Sequence, residues 1–384
     1  MSHATQKIDS LTGIRALAAI AVVLTHMLSQ TKFGCLTPLI EKGYLGVDLF
    51  FILSGFILSH VYQTVFRSIK MRSLFEFLML RLARIMPVHL VVLLLYCLDY
   101  SFLLLARGPK AEDSAIFSPM GLLYNILNLQ AWGLAKHLSW NCPAWSISAE
   151  WFAYLLFPVL CLFSNRMHKA WINIAGIIGL FAGLYLFAIA HGELSIRWHD
   201  TYPLVRVGFE FTVGILLFNL FKLQLKKNNS AIPSFRWDLL TVVSVCLFIY
   251  GGYANFSDFI LVPILTLLLY SLAFAGPLSK LVMGNKVMAH LGEISFSMYM
   301  IDAFATITYF QASKFLPVLQ SLPASPILYV AVRLVMSLCN AHLLYLFIEK
   351  PARNKLRDYI KMIGKNNKVP ELSSKGLKDL LPET

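Results

Sequence analysis

The sequence predicts an all-α, polytopic membrane protein with about ten transmembrane helices and both termini in the cytoplasm. Composition is the first reason: of 384 residues, 58% are hydrophobic and only 14% charged, with a mean hydropathy of +0.66. A soluble domain carries about 25% charged residues, so this chain cannot clothe a water-facing surface. Apolar stretches of spanning length are the second reason, and alternation of basic charge between loops is the third. The net charge of +13 by itself suits nucleic acid, acidic lipid or a phosphorylated ligand as partner. Where that charge sits decides among them.

Crossing a bilayer takes roughly 20 apolar residues, because the hydrocarbon core is about 30 Å thick and a helix rises about 1.5 Å per residue. Ten stretches are read as spans: 11–30, 44–66, 85–106, 145–163, 170–190, 203–221, 238–253, 259–276, 289–311 and 326–348. Segment 115–135 is interrupted by Asn125, Asn128 and Gln130 and reads as interfacial or re-entrant. Lys and Arg gather in cytoplasmic loops. With the N-terminus inside, the inner loops net +12 and the outer loops +1. Promoting 115–135 to a span reverses every later loop and places the Lys-rich 222–237 loop outside. Most of the positive charge therefore orients helices, which removes nucleic acid as a partner and leaves membrane lipid and a phosphorylated ligand.

The first stretch contains Arg15 and His26 and lacks a small-residue cleavage site, so it is expected to be a retained helix. Residues 1–350 are expected to form one membrane domain. Residues 351–384 are expected to form a basic cytoplasmic tail, flexible over 364–384. The six cysteines show no metal-ligand spacing, and no metal is expected. Whether Cys35 and Cys142, both on the outer side, form a disulfide is left open by sequence.

Charges inside spans cost about 2.5–3.5 kcal/mol each on insertion scales, so they face a cavity, pair or act. This chain places many there, including Arg15, His26, Asp48, Glu150, Arg206, Glu293, Asp302 and Arg333. Arg15 and His26 are eleven residues apart, about three turns, so they project from nearly one face about 16 Å apart along the axis. The alternative is a snorkelling arginine and an unrelated core histidine. Arg81 and Arg84 form an i, i+3 pair at the inner start of the third span, a phosphate-sized clamp. Ordinary positive-inside charge touching headgroups accounts for them equally well. In N-C-P-A-W-S-I-S-A-E, Asn141 to Glu150, the carboxylate is carried just inside the outer face. There it either partners an imidazole at the depth of His26 or caps its own helix. A transporter coupled to protons and a membrane enzyme both fit these residues; a non-catalytic scaffold leaves them unexplained.

Several of these segments, taken in order, resemble one family. L-T-G-I-R-A-L-A-A-I-A-V-V-L-T-H, with Arg15 and His26, is similar to the opening of the acyltransferase-3 family of integral membrane acyltransferases. G-V-D-L-F-F-I-L-S-G-F-I-L, the Arg81 and Arg84 pair, W-S-I-S-A-E, Arg206 in R-V-G-F-E-F-T-V-G, and G-E-I-S-F-S-M-Y-M-I-D continue in the family's order across residues 11–350. The resemblance implies a membrane enzyme without a fused extracytoplasmic hydrolase-like domain. Its activity would be transfer of an acyl group, most often acetyl, from cytoplasmic acyl-coenzyme A to a hydroxyl. The acceptor would be a cell-surface carbohydrate or its lipid-linked precursor, and the site the plasma membrane, the inner one if the source is bacterial.

The resemblance also implies roles. His26 is the principal catalytic residue, as general base or transient acyl carrier, with Arg15 in the same motif. Arg81 and Arg84 contact coenzyme A. Glu150 orients or charge-balances the imidazole, Ser148 or backbone donors meet the oxyanion, and Asp48, Trp145 and Arg206 support the site. Two departures stand out: Glu150 is followed by Trp151 where many members have a second acid, and Asp302 stands where many have His. Both bear on the acceptor side.

Overall fold

A computed structural model describes residues 8–28, 31–110, 113–134, 137–227, 235–322 and 325–366. Twelve principal helices carry it: α1 Asp9–Met27, α2 Gly46–Tyr62, α3 Met71–Arg107, α4 Trp145–Ser164, α5 Ala170–Ala190, α6 Pro203–Lys227, α7 Phe235–Tyr253, α8 Asp258–Phe274, α9 Pro277–Met283, α10 Lys286–Phe315, α11 Pro326–Leu344 and α12 Lys350–Asn366. Among the described residues, eight helical segments are long and apolar enough to cross a membrane, and nine if the pair α8 and α9, bent by 101°, counts as one span. The protein is an all-α, multi-pass membrane protein. The count departs from ten at 289–311. That stretch lies on the 30-residue α10, which is long enough, but it carries Glu293, Ser295, Ser297, Asp302 and Thr306 and is correspondingly less apolar.

Segment 115–135 is not a span. Its one full helix, Pro119–Ile126, has 8 residues, far short of a bilayer. The polar residues that interrupt its pattern close it instead: Asn125, Asn128 and Gln130 are buried. Asn128 Nδ2 donates to the Ile147 carbonyl at 3.3 Å and Gln130 Nε2 to that of Ala144 at 2.8 Å. His89 Nε2 donates to the Asn125 carbonyl at 2.7 Å, tying the segment to α3. Irregular backbone away from water persists only where protein satisfies its polar groups, as His89 does for the Asn125 carbonyl and Ser148 for the Asn128 carbonyl and the Ala131 amide.

Lipid offers helices no hydrophobic drive to associate, so close approach rests on small residues and packing. α2 and α6 meet through Gly55 and Gly214: a Cβ on either would collide with the opposing backbone, at Phe211 and Ile52 respectively. A Cβ on Gly292 would strike the Thr12 carbonyl in the same way, which locks α1 against α10. α1 is thus held between α2 and α10, and its two ends become the two ends of the site.

From Pro326 to Tyr359 the helix runs on through a π-turn at Tyr345–Glu349 into α12, so the polypeptide does not break at residue 350. Residues 367–384, which include most of the tail expected to be flexible, lie outside the described residues. Cys35 and Cys142 are both free thiols.

Candidate active site

One cavity of the bundle is walled by α1, α2, α3, α4, α10 and the α11–α12 junction and encloses about 220 Å³. Four cations face it, Arg15, Arg81, Arg84 and Arg353, with three carboxylates, Glu150, Glu293 and Glu349. Sequence reasoning brought Arg15, Arg81, Arg84 and Glu150 to this neighbourhood. It missed Glu349 and Arg353, which it counted with the charges that follow the last span. A signal existed: E-K-P-A-R sets a carboxylate and a guanidinium at i, i+4, on one helix face.

Arg81 is 8% exposed, its guanidinium 5.6 Å from the Tyr62 ring centroid and 6.0 Å from that of Phe77. Arg81 Nη2 donates to the Tyr62 hydroxyl at 3.4 Å, while its Nε is buried with no partner. Arg353 Nε is likewise unpartnered, and its Nη1 sits 3.9 Å from Glu349 Oε1. Glu349 Oε2 accepts from Ser297 Oγ at 2.7 Å. Buried guanidinium N–H groups without acceptors are costly, and a phosphate oxygen is the acceptor they suit best. The cavity therefore suits an anionic ligand such as a phosphate group.

Glu150 does not partner His26. Its Oε1 accepts from Ser54 Oγ at 2.5 Å and from the Tyr154 hydroxyl at 2.6 Å, at the cavity wall with Arg15. Ser148 is not placed as an oxyanion donor either. It is fully buried, its Oγ donates to the Asn128 carbonyl at 2.8 Å and accepts from Ala131 N at 3.1 Å, so both its capacities are spent on the 128–131 turn.

His26 does not line the cavity. Its Nδ1 lies 2.9 Å from Oδ2 of Asp302 on α10. Asp302 is 1% exposed, and its Oδ1 accepts from Ser337 Oγ of α11 at 3.0 Å. Arg333 Nη2 is 3.9 Å from that same oxygen, while Nη1 donates to the Ala305 carbonyl at 2.7 Å. The imidazole is 40% exposed, so a buried, braced carboxylate holds a reachable ring. The cavity stops just short of it. Its lining reaches Val47 and Tyr299, and Tyr299 is three residues, about 4.5 Å, before Asp302 on α10.

Asp48 and Arg206 stand behind this site. Arg206 Nε and Nη2 donate to Asp48 Oδ1 and Oδ2 at 2.9 and 2.6 Å, a bidentate pair fastening α2 to α6. Arg206 also lies 5.3 Å over the Trp145 ring, and Trp145 meets Phe51 edge-on at 6.0 Å, with Phe51 in the cavity wall. These three position the wall from behind.

A family model described as an acyltransferase domain, Acyl_transf_3, matches residues 8–346. The chain belongs to the acyltransferase-3 family. Among the curated relatives of this chain, the O-acetyltransferase OatA of Staphylococcus aureus is 24% identical over 92% of this chain and 58% of its own length. Acyltransferase MdmB of Streptomyces mycarofaciens is 29% identical over 44% of each chain. The match thus spans well under two thirds of either relative. No solved structure matches the chain.

Proposed function

We propose that this acyltransferase moves an acyl group, acetyl by family frequency, from acyl-coenzyme A to a hydroxyl of a cell-surface carbohydrate or its lipid-linked precursor in a bacterial inner membrane. The observation that carries the reading is the division of α1. Arg15 faces a cavity rich in guanidinium groups, and His26, eleven residues on, pairs with Asp302. About 16 Å of helix separates them, so donor anchoring and chemistry occupy different depths of one bundle.

In this mechanism Arg81, Arg84 and Arg353 hold the phosphates of the donor, and Arg15 balances charge above them. Asp302 keeps His26 in the tautomer protonated at Nδ1, which makes Nε2 the basic nitrogen. Nε2 takes the proton of the acceptor hydroxyl as its oxygen attacks the thioester carbonyl. The carbon–sulfur bond then breaks, the thiolate takes the proton back from Nε2, and ester and thiol leave.

The test is purified protein in proteoliposomes with labelled acetyl-coenzyme A and a membrane extract as acceptor source, with ester formation read by mass spectrometry. His26→Ala should lose turnover while binding acetyl-coenzyme A as wild type does; full turnover by this variant sinks the reading. Surface glycans from cells with and without the gene should differ by one acyl mass, which names donor group and acceptor together.

A further inference from the structure

A second cavity, of about 380 Å³, opens where α2, α4 and α6 end, beside the donor cavity but sharing no lining residue with it. Both lie at the same end of the bundle, since Gln63 in this wall follows Tyr62, the partner of Arg81. Arg67, Arg166, Lys222 and Lys226 line it, and no carboxylate does. None of the four forms an ion pair with a carboxylate among the described residues.

Cations at helix C-termini have an ordinary explanation, which is compensation of the helix dipole. The magnitudes do not close on that account. Three helix ends supply about −0.5 charge each, roughly −1.5 in all, against four full positive charges. An excess of about 2.5 charges remains in a concave site.

The floor of that site is built rather than incidental. Gln63 and Asn219 are 3% and 5% exposed. Gln63 Nε2 donates to Asn219 Oδ1, and Gln63 Oε1 accepts from Lys222 Nζ at 2.9 Å. Asn219 Nδ2 donates in turn to the Ser164 carbonyl and to Asn173 Oδ1, each at 3.0 Å. Lys222 is thereby held over the floor by its own hydrogen bond, while Arg67, Arg166 and Lys226 stand exposed around the rim. The volume is about tenfold that of one water, so it admits a polyatomic anion.

We propose that this cavity is a second anion site, separate from the donor site, that takes a phosphate mono- or diester. Two sources carry that chemistry, the headgroup of an acidic phospholipid in the adjoining leaflet and a soluble phosphate compound. The proposal does not depend on acyl transfer.

The experiment compares the full-length protein with a triple variant, Arg67→Gln, Arg166→Gln and Lys226→Gln, which leaves Lys222 and the amide floor in place. One arm counts phosphatidylglycerol against phosphatidylcholine retained in native mass spectrometry. The other titrates inorganic pyrophosphate in an Arg81→Ala, Arg84→Ala background, so that the donor site does not contribute. Acetyl-coenzyme A affinity of the triple variant in an otherwise wild-type chain is the control. At least a tenfold loss of either probe, with acetyl-coenzyme A affinity held within twofold, supports the site, and the arm that responds names the source. Equal retention of both probes by the triple variant overturns it. A parallel fall in acetyl-coenzyme A affinity also overturns it, because the patch is then an extension of the donor site. Should the triple variant fail to fold, Arg166→Glu alone, an exposed charge reversal, is held to the same tenfold criterion.

Discussion

His26 Nδ1 and Asp302 Oδ2 lie 2.9 Å apart, joining the first helix to a carboxylate 276 residues later in the chain. The carboxylate is buried and already braced by Ser337, so it sets the ring's orientation more than the ring sets its own. Arg333, 5.5 Å over the Tyr309 ring, brings a guanidinium nitrogen within 3.9 Å of the other Asp302 oxygen. The arrangement ties α1, α10 and α11 together at the point where chemistry is proposed.

Asp302→Asn keeps the shape of that contact and removes its charge. A positioned proton-transfer group contributes about 10²- to 10⁴-fold, so kcat is expected to fall within that range while acetyl-coenzyme A affinity changes less than threefold. Steady-state kinetics beside a binding titration separates the two. An unchanged kcat shows that Asp302 braces the helices and nothing more.

The guanidinium cluster predicts the opposite split. Arg81→Ala with Arg84→Ala removes two of the four cations facing the cavity, and donor affinity should weaken at least tenfold with a smaller effect on kcat at saturation. Arg353→Ala should act in the same direction, which tests whether the segment after residue 350 belongs to the site. Arg81→Lys should not rescue, because a lysine cannot reproduce the face-on contact with Tyr62 and Phe77 or the forked donors.

The helical body was legible because apolar run length is a direct readout of bilayer thickness, and α1, α2 and α5 sit where the runs place them. α10 reaches spanning length but falls short in apolarity for a physical reason. Its polar residues face protein rather than lipid, so mean apolarity understates how well it is buried. The site was legible residue by residue, but its pairings were not. The sequence placed Glu150 and His26 at similar depths, whereas Glu150 bonds Ser54 and Tyr154 and lines the cavity with Arg15, at the other end of α1 from His26. Asp302 was read as one of the charges inside spans and as a departure from the family pattern, with no partner named. That it answers His26 depends on α1 and α10 locking through Gly292, a contact no local pattern reveals.

Arg206 predicts a stability effect without a chemical one. It is 2% exposed between Asp48 and Glu210, whose Oε1 is 3.9 Å from its Nε and whose oxygens have no hydrogen-bond partner among the described residues. Arg206→Met leaves two buried carboxylates without a cation, at a cost of about 3–5 kcal/mol. Thermal unfolding in detergent should show a large drop in midpoint. Glu210→Gln removes a carboxylate that is making little use of its charge and should leave the midpoint unchanged or raised.

Ser148 separates a structural from a catalytic reading of the W-S-I-S-A-E motif. Its hydroxyl bridges the Asn128 carbonyl and the Ala131 amide, which pins the buried 128–131 turn to the start of α4. Trp132 Nε1 adds a bond to the Ser148 carbonyl at 3.1 Å, so the same residue fixes the turn twice. Ser148→Ala deletes the two hydroxyl bonds and leaves the carbonyl one. At about 1 kcal/mol each, with one buried amide left unsatisfied, stability should fall by about 2 kcal/mol. Turnover per folded molecule should stay within twofold of wild type. Losing an oxyanion donor instead costs about 10²- to 10³-fold in kcat. A loss of that size at unchanged unfolding temperature would return Ser148 to the reaction and require the 128–131 turn to open during turnover.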